Sequence, residues 1–185
     1  MTQTPTEVGS VTRHWGTPIT IDELPLAGVV SDGLSQIGPD GDAFEVIPPG
    51  SVLADEAALK AEFLTSLNAL ADAQGVPPVQ DVDLQVQVWR RGYDQPATGH
   101  AAEFVGWCFL ATSLTPAHSE SGALSFADPR AGSAMTAMPG LPWGRQVMVR
   151  PTPGAHVAAP GWLTSSVVPL EKGQFAVVAV ASSVR

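Results

Sequence analysis

Two periods divide the chain. Leu59, Phe63, Leu67 and Leu70 recur at three- and four-residue spacing, with Ala61, Glu62 and Asp72 around them. That spacing predicts one amphipathic helix, because positions three and four apart share a helix face. Asp55 or Ser51 could cap its start, and Gly75-Val-Pro-Pro78 stops it. From Asp83 onward the period becomes two. Leu84, Val86 and Val88 alternate with Gln85 and Gln87, which predicts a half-buried strand running through Trp89 into a turn at Arg90-Arg91-Gly92.

Phe104-Val-Gly-Trp-Cys-Phe-Leu-Ala111 reads as a more fully buried strand. Further candidates are Gly122–Phe126, Gln146–Val149, His156–Ala158, Ser166–Val168 and Phe175–Ala181, separated by Pro- and Gly-bearing turns. Upstream, Thr17–Asp22 alternates enough for an early strand, Leu26–Ser35 is ambiguous, and Gly38-Pro-Asp-Gly-Asp42 is a loop. No long helical run separates the later strands, so a doubly wound sheet fits poorly. The expected fold class is mainly β, a sandwich or jelly roll, with at least one α-helix packed on its outside. Residues 1–185 are expected to form a single domain, with residues 1–12 flexible.

Composition supports this. Eighteen glycines, 17 prolines and a charged fraction of 15% imply many turns between short elements. The net charge of −9 argues against a nucleic-acid surface, since phosphate neutralisation needs clustered Lys and Arg and the only adjacent basic pair is Arg90-Arg91. MTQTPTEVGS has neither a basic start nor an apolar segment, and no stretch approaches membrane-spanning length. A soluble cytoplasmic protein with no membrane partner is the expectation. The single Cys108 lies in an apolar run and reads as a buried small hydrophobe.

The chemical inventory is sparse. His14, His100, His118 and His156 form no closely spaced metal pair, and no CxxC, HExxH, GxSxG or Gly-rich phosphate loop is present. Gly132-Ser-Ala and Gly154-Ala-His are better read as turns. A site could still assemble from distant strands, with Glu103 or Asp128 as carboxylate partner, although His100 and Glu103 would face opposite ways on a strand. Thr164-Ser-Ser166 has hydroxyls but no evident base.

Several segments together resemble the 2-oxoglutarate/Fe(II)-dependent oxygenase family. They are Trp15-Gly-Thr-Pro-Ile19, Gly122-Ala-Leu-Ser-Phe-Ala-Asp-Pro-Arg130, Pro160-Gly-Trp-Leu-Thr-Ser-Ser-Val-Val-Pro169 and the terminal strand Gln174–Val180. The resemblance implies a double-stranded β-helix, or cupin-like jelly roll, whose mouth holds iron and the cosubstrate. It also places the family's distal iron histidine on Ser165 and its cosubstrate-binding arginine on Gln174, with only His100 near the proximal metal motif. A neutral hydroxyl is a poor ferrous ligand, and a glutamine offers a dicarboxylate no cation.

The preferred functional expectation is therefore a metal-independent enzyme without a cofactor. It would reuse the barrel for cyclisation, isomerisation or elimination on a small hydrophobic metabolite, in a biosynthetic setting. His100, Glu103, His156 or Asp128 would move a proton. Trp89, Trp107, Trp143, Trp162, Ser165 and Gln174 would contact substrate. A divergent oxygenase with unexpected ligands and a non-catalytic binding or assembly protein are the alternatives. A sheet edge could support a homodimer.

Overall fold

The computed structural model describes residues 11–14, 16–113, 118–130 and 146–184. Trp15, Trp143, Met1–Ser10 and the Gly132-Ser-Ala turn lie outside the described residues.

Eleven strands and one α-helix make up the described fold, which is mainly β with two facing antiparallel sheets. The larger sheet takes β1 (Val11–His14), β2 (Thr17–Glu23), β3 (Phe44–Ile47), β4 (Asp81–Arg90), β6 (Phe104–Thr112), β9 (Ala155–Pro160) and β11 (Phe175–Val184). Their order is β1-β2-β9-β6-β11-β4-β3. The smaller sheet takes β5 (Gln95–Thr98), β7 (Leu124–Phe126), β8 (Val147–Val149) and β10 (Ser165–Val167), in the order β5-β10-β7-β8. This is the double-stranded β-helix architecture.

Strand alternation sorts the larger sheet into two faces. Val82, Leu84, Val86, Val88, Phe104, Cys108, Leu110, Ala158, Val177 and Ala179 belong to the core under the helix. Trp89, Val105, Trp107, Phe109, Val157, Ala159, Val178 and Val180 face the smaller sheet, where they meet Leu124, Phe126, Leu163 and Val167. β6 and β11 are central and packed on both faces, whereas β4 is buried on its helix side and covered on the other only toward its end, where the half-buried pattern runs into a buried Trp89.

The helix α1 (Glu56–Gln74) matches the expected apolar stripe, with Leu59, Phe63, Leu67 and Leu70 buried. Asp55 caps it by accepting the Ala58 N–H at 2.9 Å, and Gly75 ends it in the left-handed region at φ 69°. Close helix-to-sheet approach depends on Gly106 in β6, where a Cβ would lie 2.7 Å from Phe63 Cδ1.

Three strands were not expected. β1 and β3 are short sheet edges, and β5 contains Pro96, which marks an edge strand. The expected turn at Arg90-Arg91-Gly92 is present, closed by Tyr93 N–H donating to Arg90 O at 3.0 Å, and Arg90 is at the same time the buried last residue of β4. Its Nε donates to Gly38 O at 2.9 Å, and its Nη1 donates to Asp42 O at 3.0 Å and Glu45 Oε2 at 2.9 Å. One buried guanidinium thus pins the 38–45 segment to the sheet. No helix among the described residues is long and apolar enough to cross a membrane.

Candidate functional site

A pocket of about 100 Å³ opens between the two sheets, lined by Gln87, Tyr93, Gln95, Thr98, Gly99, His100, Trp107, Ser165 and Val180. Each lining residue arrives through a local rule. Gln87 shares the Trp89 face of β4, Trp107 comes from β6 and Val180 from β11. Ser165 of β10 pairs with Thr98 of β5 on one side and with Phe126 of β7 on the other. The following loop is held by backbone bonds from His100 N–H to Gly161 O at 2.7 Å and from Gly161 N–H to Glu103 O at 2.8 Å. Gly161 has to be glycine, since a Cβ there would sit 2.9 Å from His100 O.

His100 has a defined tautomer. The Ala102 N–H donates to His100 Nδ1 at 3.2 Å, so Nδ1 carries the lone pair and, in the neutral ring, Nε2 carries the proton. The Nε2–H makes a long contact of 3.4 Å to Ser182 Oγ.

The two glutamines are also oriented. Trp89 Nε1–H donates to Gln87 Oε1 at 2.9 Å, Gln87 Nε2 donates to Gln85 Oε1 at 2.7 Å, and the Tyr93 hydroxyl donates to Gln95 Oε1 at 3.0 Å. Tyr93 stacks between Phe44 and Trp89, with ring centroids 5.1 and 5.4 Å away, and burial pushes its phenol above its ordinary pKa.

Of the residues singled out from sequence, the pocket brings together His100, Trp107 and Ser165. The others lie elsewhere. His156 is fully buried on the helix side of β9, with Nδ1 3.1 Å from Trp107 O and Nε2 2.9 Å from Ser66 Oγ, edge-on to Phe63. Burial lowers its pKa to about 4, against weaker upward pulls from Trp107 O and Asp22. Asp128 is buried in a two-pronged pair with Arg130, Nε to Oδ1 at 2.9 Å and Nη2 to Oδ2 at 2.6 Å. Glu103 is exposed on a separate groove beside Pro77, Pro78 and Ser183.

Trp89 is fully buried and Trp162 is 57% exposed on the turn after β9. Gln174 accepts the Ser113 hydroxyl at 2.6 Å beside a different cavity, about 20 Å³, room for a water molecule. Sequence reasoning missed Gln87, Tyr93, Gln95 and Thr98. The Gln85/Gln87 alternation was the available signal, but polar residues on a strand ordinarily mark a solvent face.

The residues do not fit a ferrous site. A facial triad needs two imidazoles and a carboxylate, whereas the pocket supplies one imidazole, whose Nε2 carries a proton, plus amides and hydroxyls. Among the described residues no group of three or more His, Cys, Asp or Glu side chains is arranged to hold a metal ion. Among the described residues no Lys or Arg lines the pocket to pair with a dicarboxylate.

No protein-family model and no curated protein matches the sequence. Solved structures do match its fold. A Pseudomonas putida prolyl-4-hydroxylase is 16% identical with TM-score 0.55, covering 89% of this chain and 78% of that one. SnoN, a non-heme alpha-ketoglutarate-dependent epimerase of nogalamycin biosynthesis, is 14% identical with TM-score 0.51 over 89% and 78%. SnoK, the corresponding carbocyclase, is 12% identical with TM-score 0.51 over 90% and 79%. At these identities the likeness establishes an oxygenase-type double-stranded β-helix fold.

Proposed function

We propose that the chain uses its oxygenase-like barrel as a metal-independent site for a small uncharged metabolite. His100 is the hydrogen-bond donor that polarises an oxygen of the bound molecule in a non-oxidative step such as isomerisation, cyclisation or elimination. The observation that carries this reading is the Ala102 N–H bond to His100 Nδ1, because it makes Nε2 a donor rather than a lone pair, held only by a long 3.4 Å contact to Ser182 Oγ that a ligand oxygen would replace. A neutral imidazole N–H stabilises developing negative charge on an oxygen without having to ionise. Trp107 and Val180 supply an apolar wall, and Gln87, Gln95, Thr98 and Ser165 supply hydrogen bonds. The pocket is thus more polar than a site for a purely hydrophobic metabolite.

A second reading, binding without catalysis, is favoured by one observation: among the described residues no carboxylate lines the pocket to serve as a base. Following the exchange of carbonyl-adjacent hydrogens of a bound ligand in D₂O separates the two, since catalysis of a proton shift accelerates exchange and mere binding does not.

The metal-independent reading is tested by anaerobic Fe(II) and 2-oxoglutarate titration with succinate detection, together with imidazole ¹⁵N spectra. The expected results are no stoichiometric iron binding and an Nε2–H signal for His100. Stoichiometric iron binding with succinate production would overturn the proposal.

A further inference from the structure

We infer that the pocket selects ligands that only accept hydrogen bonds, namely small cyclic esters, enones and related carbonyl compounds, and that Gln87 and Gln95 set this specificity. The inference rests on the pocket reading above and gives it a ligand class.

The argument is a count of what each polar group has left. Indole N–H is a donor only, so the Trp89 bond fixes the Gln87 amide with its oxygen toward Trp89. One Gln87 N–H then goes to Gln85 Oε1, and the second remains. Gln95 Oε1 is taken by the Tyr93 hydroxyl, and its amide nitrogen has no protein partner among the described residues. His100 adds an Nε2–H, fixed by the Ala102 bond, whose long 3.4 Å contact to Ser182 Oγ is one a ligand oxygen has to displace. Both amide oxygens and the imidazole lone pair already accept from neighbouring donors, while amide N–H groups of Gln87 and Gln95 are left without a protein partner among the described residues, so the glutamines present mainly donors to the pocket. Thr98 and Ser165 are hydroxyls, able to adapt in either direction.

Among the described residues no carboxylate and no Lys or Arg lines the pocket. A ligand with its own N–H or O–H meets donor against donor at the glutamines, and a ligand without oxygen leaves those donors unpaired. A free volume of about 100 Å³ suits a compact ring laid against Trp107. The aromatic stack of Phe44, Tyr93 and Trp89 holds both locking donors in place, so the amide orientation is built into the fold before ligand arrives.

Protein-observed NMR of the full chain, reading the Gln side-chain amides and the Trp107 indole, tests this with γ-butyrolactone and its N–H isostere 2-pyrrolidinone. The lactone is expected to bind about tenfold more tightly, the order of penalty for one opposed polar contact in a half-open site, and to shift the Gln87 and Gln95 amide signals. Gln95→Glu replaces the amide donors with acceptors and is expected to reverse the preference. Tyr93→Phe keeps the ring stack but frees Gln95 to turn over, and is expected to bring the two affinities within about twofold of each other. This second variant serves if Gln95→Glu does not fold. Equal affinity of the wild-type chain for both probes, or an unchanged ratio in Tyr93→Phe, overturns the donor-wall inference while leaving a binding pocket in place. Failure of both probes to perturb any lining residue overturns the pocket reading as well.

Discussion

His156 and His100 lie on opposite sides of the larger sheet, His156 on its strand β9 and His100 in the loop after β5, and their hydrogen bonds are used in opposite ways. On the helix side His156 is sealed between β9 and α1, both ring nitrogens occupied, with Phe63 against its ring. On the side facing the smaller sheet the exposed His100 lines an opening, with one nitrogen fixed by backbone and the other in only a long 3.4 Å contact to Ser182 Oγ. The contrast extends to the neighbours. Helix-side positions of β4 are Val82, Leu84, Val86 and Val88, while the opposite face holds Gln85, Gln87 and Trp89. Histidine type therefore says little here; satisfaction of its nitrogens and access to open space separate a packing group from a site.

Breaking the helix side has the largest expected effect. Phe63 is fully buried and fills the space left by Gly106, so Phe63→Ala is expected to cost about 3–5 kcal/mol through lost transfer energy and a cavity. Chemical denaturation measures it, and a loss under 1 kcal/mol would contradict a tightly packed helix side.

The next effect is pH-dependent. In the unfolded chain His156 titrates near 6.5, and in the folded chain near 4, so below pH 6.5 the unfolded state binds more protons. Folding stability from this group is complete above pH 6.5 and is lost as pH falls toward 4, by about 3 kcal/mol in all. Subtracting the denaturation profile of His156→Gln from that of the wild type isolates this slope from carboxylate titration. A flat difference between pH 6.5 and 4 would show that His156 is not buried neutral.

Legibility in the sequence followed the same division. The helix, β4, β6 and β11 were readable because their apolar periods are long and uninterrupted, and Asp55 and Gly75 have local reasons to sit where they do. β5 was hidden because Pro96 speaks against a strand and its burial is slight. The pocket is half legible: His100, Trp107 and Ser165 stand out in the sequence, but Gln87 of the larger sheet and Gln95 of the smaller resemble solvent-facing residues until the two sheets face each other. His156 lies in a short apolar segment, and only the position of Ser66, 90 residues away in sequence, shows which face it occupies. Gln174, paired by resemblance with Ser165, has its own small cavity shared with Ser113, a separation in space that chain order does not reveal.

A smaller effect sharpens the boundary between the faces. Trp89→Phe keeps the buried ring but removes the donor to Gln87 Oε1, so a loss of about 1–2 kcal/mol is expected from the unpaired amide and the smaller ring. Its distinguishing readout is the Gln87 amide signal, which should broaden as the side chain gains a second orientation. A stability loss with an unchanged amide signal would mean that the indole only fills space.

The smallest stability effect belongs to His100. Its side chain is exposed, and its bonds to Ala102 N–H and Ser182 Oγ are at 3.2 and 3.4 Å, so His100→Gln should change folding free energy by less than about 0.5 kcal/mol. The same substitution removes the imidazole N–H from the pocket and should weaken a carbonyl ligand several-fold. Stability and binding thus separate at His100, whereas at His156 the whole effect is expected in stability. A His100→Gln chain that loses several kcal/mol would place both histidines in the same structural role and erase the distinction between the two faces.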